Sequence, residues 1–67
     1  MSELYSFDRV GEFSVVVEHV GEEEFKPVYE GIVFLRAVQN PHECERGNDA
    51  EAVRGRLITL AKEHLSN

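Results

Sequence analysis

The last twenty residues carry the strongest pattern in this chain of 67 residues. Apolar or ring side chains recur there at intervals of three or four positions, at Ala50, Val53, Leu57, Leu60, Ala61 and His64. The positions between them are polar, at Glu51, Arg56, Thr59, Lys62 and Glu63. This spacing is typical of an amphipathic helix with one buried face. We therefore predict a single helix within Asn48 to Asn67 that packs on the rest of the chain.

The start of this segment has the residues of a helix cap. Asn48 can accept a hydrogen bond from the first-turn amides, and Glu51 can reach back as its partner in a capping box. Asp49 and Glu51 fall near the positive end of the helix dipole, and Lys62 falls near the negative end. Gly55 is the exception, because a glycine in a helix interior costs about 1 kcal/mol relative to alanine. We expect Gly55 on the outer face.

Length and composition set the class of protein. A chain of 67 residues is one domain, 1–67, with a narrow margin between apolar burial and chain entropy. The hydrophobic fraction of 42% is sufficient for a core. A single cysteine excludes an internal disulfide, and no signal peptide or long apolar run is found. We expect a cytoplasmic protein that is neither secreted nor inserted in a membrane.

The net charge of −6 is unevenly distributed. Residues 1–45 contain ten acidic and three basic side chains, whereas residues 46–67 contain three acidic and four basic ones. A negative surface repels phosphate backbones, so we expect no direct binding of nucleic acid unless the C-terminal segment alone presents its basic side chains, Arg46, Arg54, Arg56 and Lys62. A protein partner with a basic surface fits better, and the alternative is that the acidic residues only keep the protein in solution.

Two segments near the N-terminus have the composition of strands. Residues 1–10 contain large apolar side chains in a polar setting, which predicts an edge strand or an ordered arm in which at least Phe7 packs. Phe13 to Val20 alternates as a strand does, so Phe13, Val15 and Val17 are expected to face the helix.

Gly21 interrupts this strand, and three consecutive glutamates follow it, Glu22, Glu23 and Glu24. A polar connection of this kind before Phe25 predicts a hairpin loop. Two interpretations stay open at this point. The glutamates form an acidic tip that engages Lys or Arg of a partner, or they form a solvated loop.

The segment from Phe25 to Val38 is too long for one ordinary strand, and we predict a division near Gly31. Its second part, from Ile32 to Val38, is almost continuously apolar and is expected in the middle of the sheet. One helix cannot cover both faces of such a strand. Either the N-terminal arm or a partner chain covers the second face, and the partner interpretation favours a homodimer.

Residues 39–47 are predicted to form a loop, because Asn40-Pro41 opens the segment and Gly47 closes it. His42 and Cys44 lie two positions apart within it. A structural zinc site needs four ligands, and the other histidines, His19 and His64, are scattered, so we predict no metal. Neighbouring carboxylates disfavour the thiolate form of Cys44. No phosphate-binding loop or nucleophile motif occurs, and we predict neither an enzyme nor a cofactor.

Together these segments predict an α+β domain, with a small antiparallel sheet of three or four strands and one C-terminal helix packed on one face. Its helix start, Gly47-Asn48-Asp49-Ala50-Glu51-Ala52-Val53, followed by Leu57, Leu60, Ala61 and Leu65, resembles that of the HicB antitoxin domain. Members of that family often enter the helix with a G-D-x-x-E-E-A pattern after a three-stranded sheet. The resemblance covers residues 13–65 and implies a small protein that neutralises a nucleic-acid-acting partner by contact.

A related function follows from the residues without the family. A compact acidic domain suits an inhibitor that docks on a basic surface, including a phage-type protein that mimics nucleic acid. The carboxylates expected to steer and orient such a partner are Glu18, Glu22, Glu23, Glu24 and Glu30. The alternative is a structural or assembly module that acts as a homodimer without an inhibitory target.

Overall fold

The computed structural model of the chain describes residues 2–36 and 38–65, with the backbone alone for residues 38–43. Four antiparallel strands form one sheet in chain order, and a helix follows them. The elements are β1 (Glu3–Val10), β2 (Phe13–Glu23), β3 (Lys26–Leu35), β4 (Val38–Gly47) and α1 (Ala50–Leu65). The predicted α+β fold is confirmed in its four-stranded form, and β3 lies inside the sheet as expected for Ile32 to Leu35.

The core lies between α1 and one face of the sheet. It consists of Val15, Val17, Val33, Val53, Leu57 and Ala61. Leu57 is the largest of the fully buried side chains, and burial of a leucine contributes about 1.5–3 kcal/mol. The predicted alternation of β2 and the predicted buried stripe of α1 are confirmed at these positions.

Positions at the margin of the core follow the prediction less closely. Phe13 and Leu60 are partly buried and pack against the cluster. His64 is exposed, and its ring centroid lies 5.6 Å from that of Phe13. Gly55 is exposed, as expected. The outward positions of the helix are also exposed: Glu51, Arg56, Thr59, Lys62 and Glu63.

Gly31 is required by the close approach of α1 to β3. A Cβ atom at this position would overlap the side chain of Leu57 and would lie 2.8 Å from Cγ1 of Val53. The prediction of a division near Gly31 is wrong, because β3 continues through this residue. The glycine serves packing between the layers and does not interrupt the strand.

The cap of α1 is displaced by one residue from its predicted position. Asp49 Oδ1 accepts hydrogen bonds from the amides of Glu51 and Ala52, at 3.1 and 3.2 Å. Asn48 instead donates from Nδ2 to the carbonyl oxygen of Pro27 at 2.7 Å. The predicted cap at Asn48 is therefore wrong, because this side chain ties the helix start to β3.

Residues 39–47 are not a loop, since β4 runs from Val38 to Gly47 as an edge strand. Proline is tolerated on an edge strand, where its missing N–H removes no ladder hydrogen bond. The pairing of β4 with β3 also shifts register opposite residues 40–43, between Ile32 and Phe34. This irregularity accommodates the Asn40-Pro41 pair that suggested a loop.

The N-terminal segment is an edge strand, β1, which confirms one of its two predicted forms. Phe7 pairs with Val16 on the face away from α1 and is 56% exposed, so the expectation that it packs is wrong. Its neighbour Asp8 occupies the face next to the helix and forms an ion pair with Arg54. The segment therefore extends the sheet and does not cover the second face.

Candidate protein-binding surfaces

The connection between β2 and β3 is shorter than the predicted loop. The two strands pair up to Glu23 and Lys26, which leaves a two-residue turn of Glu24 and Phe25. Both turn residues have positive φ, 50° and 66°. Two-residue hairpin turns of this hand favour Asn and Gly, because other residues pay about 1–3 kcal/mol in this region. A strained, non-glycine turn thus closes the longest strand pair of the sheet.

Phe25 is fully exposed, at 100%. The hairpin tip, which we define as residues 22–26, is exposed throughout and places glutamates directly before this ring. Sequence reasoning missed Phe25 as a surface residue, because the glutamates alone were assigned to the connection. Only the strand register shows that Glu24 and Phe25 are the two turn residues. Once they are placed there, the unfavourable residue types of this pair single out Phe25.

The five carboxylates predicted to bind a partner fall in two groups. Three of them, Glu22, Glu23 and Glu24, lie at the hairpin tip. Glu18 and Glu30 are directly paired across β2 and β3, on the sheet face away from α1. Glu30 is 3.7 Å from Arg46, whereas Glu18 has no ion pair with any described residue. The structure therefore does not bring all five together in one site.

The face of the sheet away from α1 is apolar at its centre. We call it the open face. Its residues alternate along the strands with core positions or pair across the strands with one another. They are Leu4, Phe7, Arg9, Val16, Glu18, Ile32 and Phe34. Leu4 and Phe7 are exposed, and Val16, Ile32 and Phe34 are half-buried. A shallow depression of about 680 Å³ lies at one end, lined by Phe7, Arg9, Glu12, Ser14, Val16, Phe34 and Arg36. This shape suits contact with a side chain or strand of another protein.

Charges on the two sides of this apolar centre differ in sign. Arg9 lies at the end near the β1–β2 turn, and Glu18 lies on the side toward the hairpin tip. Neither has an ion pair with a described residue. At the rim, Arg36 donates from Nη2 to both carboxylate oxygens of Glu12, at 2.9 and 3.0 Å. The open face therefore has one unpaired positive and one unpaired negative group.

A polar network fixes β1 against α1 on the covered face. Arg54 donates to the two carboxylate oxygens of Asp8 at 2.8 and 2.9 Å and to Glu51 at 3.1 Å. The Tyr5 hydroxyl donates to Glu51 at 2.6 Å. The hydrogen bond from Arg54 lowers the pKa of Asp8, and the hydrogen bond to Glu51 raises the pKa of Tyr5. These contacts hold the edge strand in place and leave the open face without a role in the network.

Comparisons with protein-family models, curated proteins and solved structures find no match for this chain. The resemblance to the HicB antitoxin domain stays a prediction. Within residues 2–36 and 38–65, no helix combines the length and apolar character needed to cross a bilayer.

His42 and Cys44 are the two residues considered in the sequence and predicted not to bind a metal. Cys44 is exposed and pairs with Ile32 across β3 and β4, whereas the His42 side chain lies outside the described residues. The two other histidines are far apart, since the ring of His19 on β2 lies beside Tyr29, whereas the ring of His64 on α1 lies beside Phe13 at the other end of β2. Among the described residues, no group of three or more His, Cys, Asp or Glu side chains has the arrangement of a metal site.

Proposed function

We propose that the protein is a non-enzymatic, cytoplasmic binding protein that docks its hairpin tip on the basic surface of a nucleic-acid-acting protein and so inhibits that protein. The observation that carries this proposal is the fully exposed Phe25 beside three consecutive glutamates on a strained turn. Strained backbone in an exposed segment is kept where the surroundings or a function require it. Here the turn projects an aromatic ring that the fold itself does not use.

An exposed aromatic ring supplies the apolar part of the contact. Binding energy at interfaces is concentrated in a few side chains that enter pockets, and aromatic residues are prominent among them. Burial of Phe25 in a partner's pocket would contribute about 2–3 kcal/mol from the area alone. The two-residue turn holds the ring away from the sheet, so a pocket can enclose it without contact with the rest of the domain.

The glutamates supply the electrostatic part. Glu22, Glu23 and Glu24 form no ion pair with a described residue, so their charges are available to a partner. Lys and Arg side chains that bind phosphate groups would also bind these carboxylates, which is how occupation of the site would exclude nucleic acid. Exposed charges of this kind act mainly on the rate of association.

Affinity capture from the source organism's extract, with the immobilised protein, tests the proposal. We expect a captured protein that binds nucleic acid, and its binding of nucleic acid should decline as this protein is added. Phe25→Ala should speed its release about tenfold or more, consistent with loss of an interface anchor. Glu63→Gln, an exposed change on α1, is the control and should leave capture unchanged.

The triple change of Glu22, Glu23 and Glu24 to Gln measures the effect of the carboxylate charges on binding separately from that of the Phe25 ring. It should slow association more than it speeds release, and added salt should have the same effect because charges are screened beyond about 8 Å at physiological ionic strength. A captured partner whose binding is insensitive to Phe25→Ala, to the triple change and to salt would contradict the proposal.

The alternative function is a structural or assembly module that acts as a homodimer without an inhibitory target. The observation that favours it is the apolar open face, because monomeric proteins rarely expose a contiguous apolar surface of this kind. Capture of no nucleic-acid-acting protein, together with stable self-association, would favour this function over the first.

A further inference from the structure

The open face differs from the outer face of an ordinary one-sided sheet. Antiparallel sheets that pack a core on one face are usually polar on the other. Here Phe7 is 56% exposed and Leu4 is 66% exposed, and the half-buried Val16, Ile32 and Phe34 continue the apolar surface across β2 and β3. The covered face already holds the core, so these side chains are not required to close the fold. A surface that covers them is the simplest reason for their presence.

We propose that the open face packs against the open face of a second copy of the chain, around a twofold axis that runs across the strands through Phe7, Val16 and Ile32. The proposal concerns self-association and does not depend on the function of the hairpin tip. A twofold contact is isologous, so a surface must complement itself. The charges of the open face meet this condition.

Arg9 and Glu18 lie on opposite sides of the proposed axis. Arg9 pairs with Ser14 and Glu18 lies four residues further along β2, which separates the two rows by about 13 Å. Rotation about the axis exchanges these rows, so Arg9 of each copy comes over the row that holds Leu4 and Glu18 of the other, one strand spacing of about 4.8 Å from Glu18. Because both groups lack an ion pair within the described chain, each would gain its counter-charge from the second copy.

Two other pairs of charges near this face, among the residues whose side chains are described, are already neutralised within one chain. Glu12 is paired with Arg36 and Glu30 is paired with Arg46. A face-to-face approach therefore brings no further uncompensated charges together from these pairs. An unrelated partner would have to offer an acidic and a basic group at matching positions, whereas a second copy supplies both.

The outline of the chain is close in size to one side of a standard interface. Stacked sheets lie about 10 Å apart with strands inclined by about 30°, a separation that long Arg and Glu side chains can bridge. The chain measures 40 by 19 Å along its two longest directions, about 760 Å² in projection, against ~800 Å² per partner in a standard interface. Even partial overlap would bury the apolar centre.

Sedimentation equilibrium and light scattering of the purified full chain test the proposal. The wild type should be a dimer whose dissociation constant lies well below about 1 mM. Arg9→Glu and Glu18→Arg should each weaken the dimer about tenfold or more, since every change acts twice in a twofold interface. The double variant Arg9→Glu with Glu18→Arg should restore an affinity close to that of the wild type.

Two further variants keep the test independent of folding. Glu63→Arg reverses an exposed charge on α1 and should leave the dimer unchanged. Val16→Asp should give a monomer, and circular dichroism should show that all variants keep the fold.

A wild type that stays monomeric up to about 1 mM would overturn the proposal and assign the open face to another occupant. A dimer that survives Val16→Asp, or a double variant without recovery, would overturn it as well. Capture of a partner through Phe25 is a separate readout that none of these outcomes decides.

Discussion

The two faces of the sheet are made by alternate residues of the same strands, and both are apolar at their centres. On the covered face, Val15, Val17 and Val33 are fully buried beneath α1. On the open face, Val16, Ile32 and Phe34 are only half-buried and Phe7 is exposed. The apolar side chains at the centres of the two faces differ in how far they are buried and not in residue type. Side chains that stabilise this fold and side chains available for binding therefore alternate along each strand, and substitutions should affect the two properties separately.

The largest effect is expected on the covered face. Leu57→Ala removes the largest fully buried side chain and should lower the free energy of unfolding by about 2–5 kcal/mol, which is much of the stability of a small domain. Thr59→Ala, on the exposed side of the same helix, should cost far less. Chemical denaturation of both variants measures the difference. Equal losses would contradict the assignment of the helix faces.

A second comparison uses two glycines on paired strands. Gly31→Ala places a methyl group against Leu57 and Val53 and should cost about 1–3 kcal/mol through overpacking. Gly21→Ala meets no atom within 4 Å and should change stability little. Thermal unfolding of the two variants separates them. A Gly31→Ala protein as stable as the wild type would contradict the close contact of Leu57 and Val53 in α1 with Gly31 in β3.

The comparison also shows where sequence reasoning succeeds. Periodicity identified the covered face, because Val15, Val17, Val53 and Leu57 repeat at the strand and helix intervals that burial imposes. It could not identify the open face as exposed, since apolar alternation is the same whether or not a layer covers it. Strand composition does not report what packs on the strand.

The wrong predictions have a common physical origin. Asn40-Pro41 has the composition of a loop, yet tertiary pairing with β3 holds residues 38–47 in an edge strand. The turn at Glu24 and Phe25 depends on the register of two strands, and propensity alone favours a longer loop. The cap is at Asp49 and not at Asn48, whose side chain instead donates to the carbonyl oxygen of Pro27 in β3. Each error concerns pairing between two segments, which the composition of either segment alone does not report.

Two consecutive charged residues of β1, Asp8 and Arg9, lie on opposite faces of the sheet. Asp8 faces α1 with its pKa lowered by Arg54, whereas Arg9 lies on the open face. A lowered pKa stabilises the fold above the unfolded value of about 3.9, and this contribution disappears as the pH falls through the folded pKa. Asp8→Asn should therefore cost about 1 kcal/mol at pH 7 and flatten the loss of stability below pH 4. Arg9→Gln should leave the pH profile of the melting temperature unchanged, and identical profiles for Asp8→Asn and wild type would contradict the role of this pair.

The smallest effect on stability is expected at the hairpin tip, where the change should stabilise the protein. Glu24→Asn with Phe25→Gly replaces two strained residues by the pair that this turn prefers. The relief of strain is largely offset because a glycine loses more conformational freedom on folding, so stability should rise by roughly 0.5 kcal/mol. The same change removes the exposed ring, so partner capture should fall while the melting temperature rises. A fall in both would indicate that Phe25 supports the fold and not a partner.

The separation of stability from binding is tested most directly at Phe7, which is exposed on the open face and belongs to the same sheet as the core. The measurement is a pair of values for Phe7→Ala, the free energy of unfolding of the monomer and the dissociation constant of the dimer. We expect the first to change by less than about 0.5 kcal/mol, as for a surface position, and the second to rise about tenfold or more. A monomer destabilised as strongly as by Leu57→Ala, with unchanged self-association, would show that the open face serves the fold and would contradict this account.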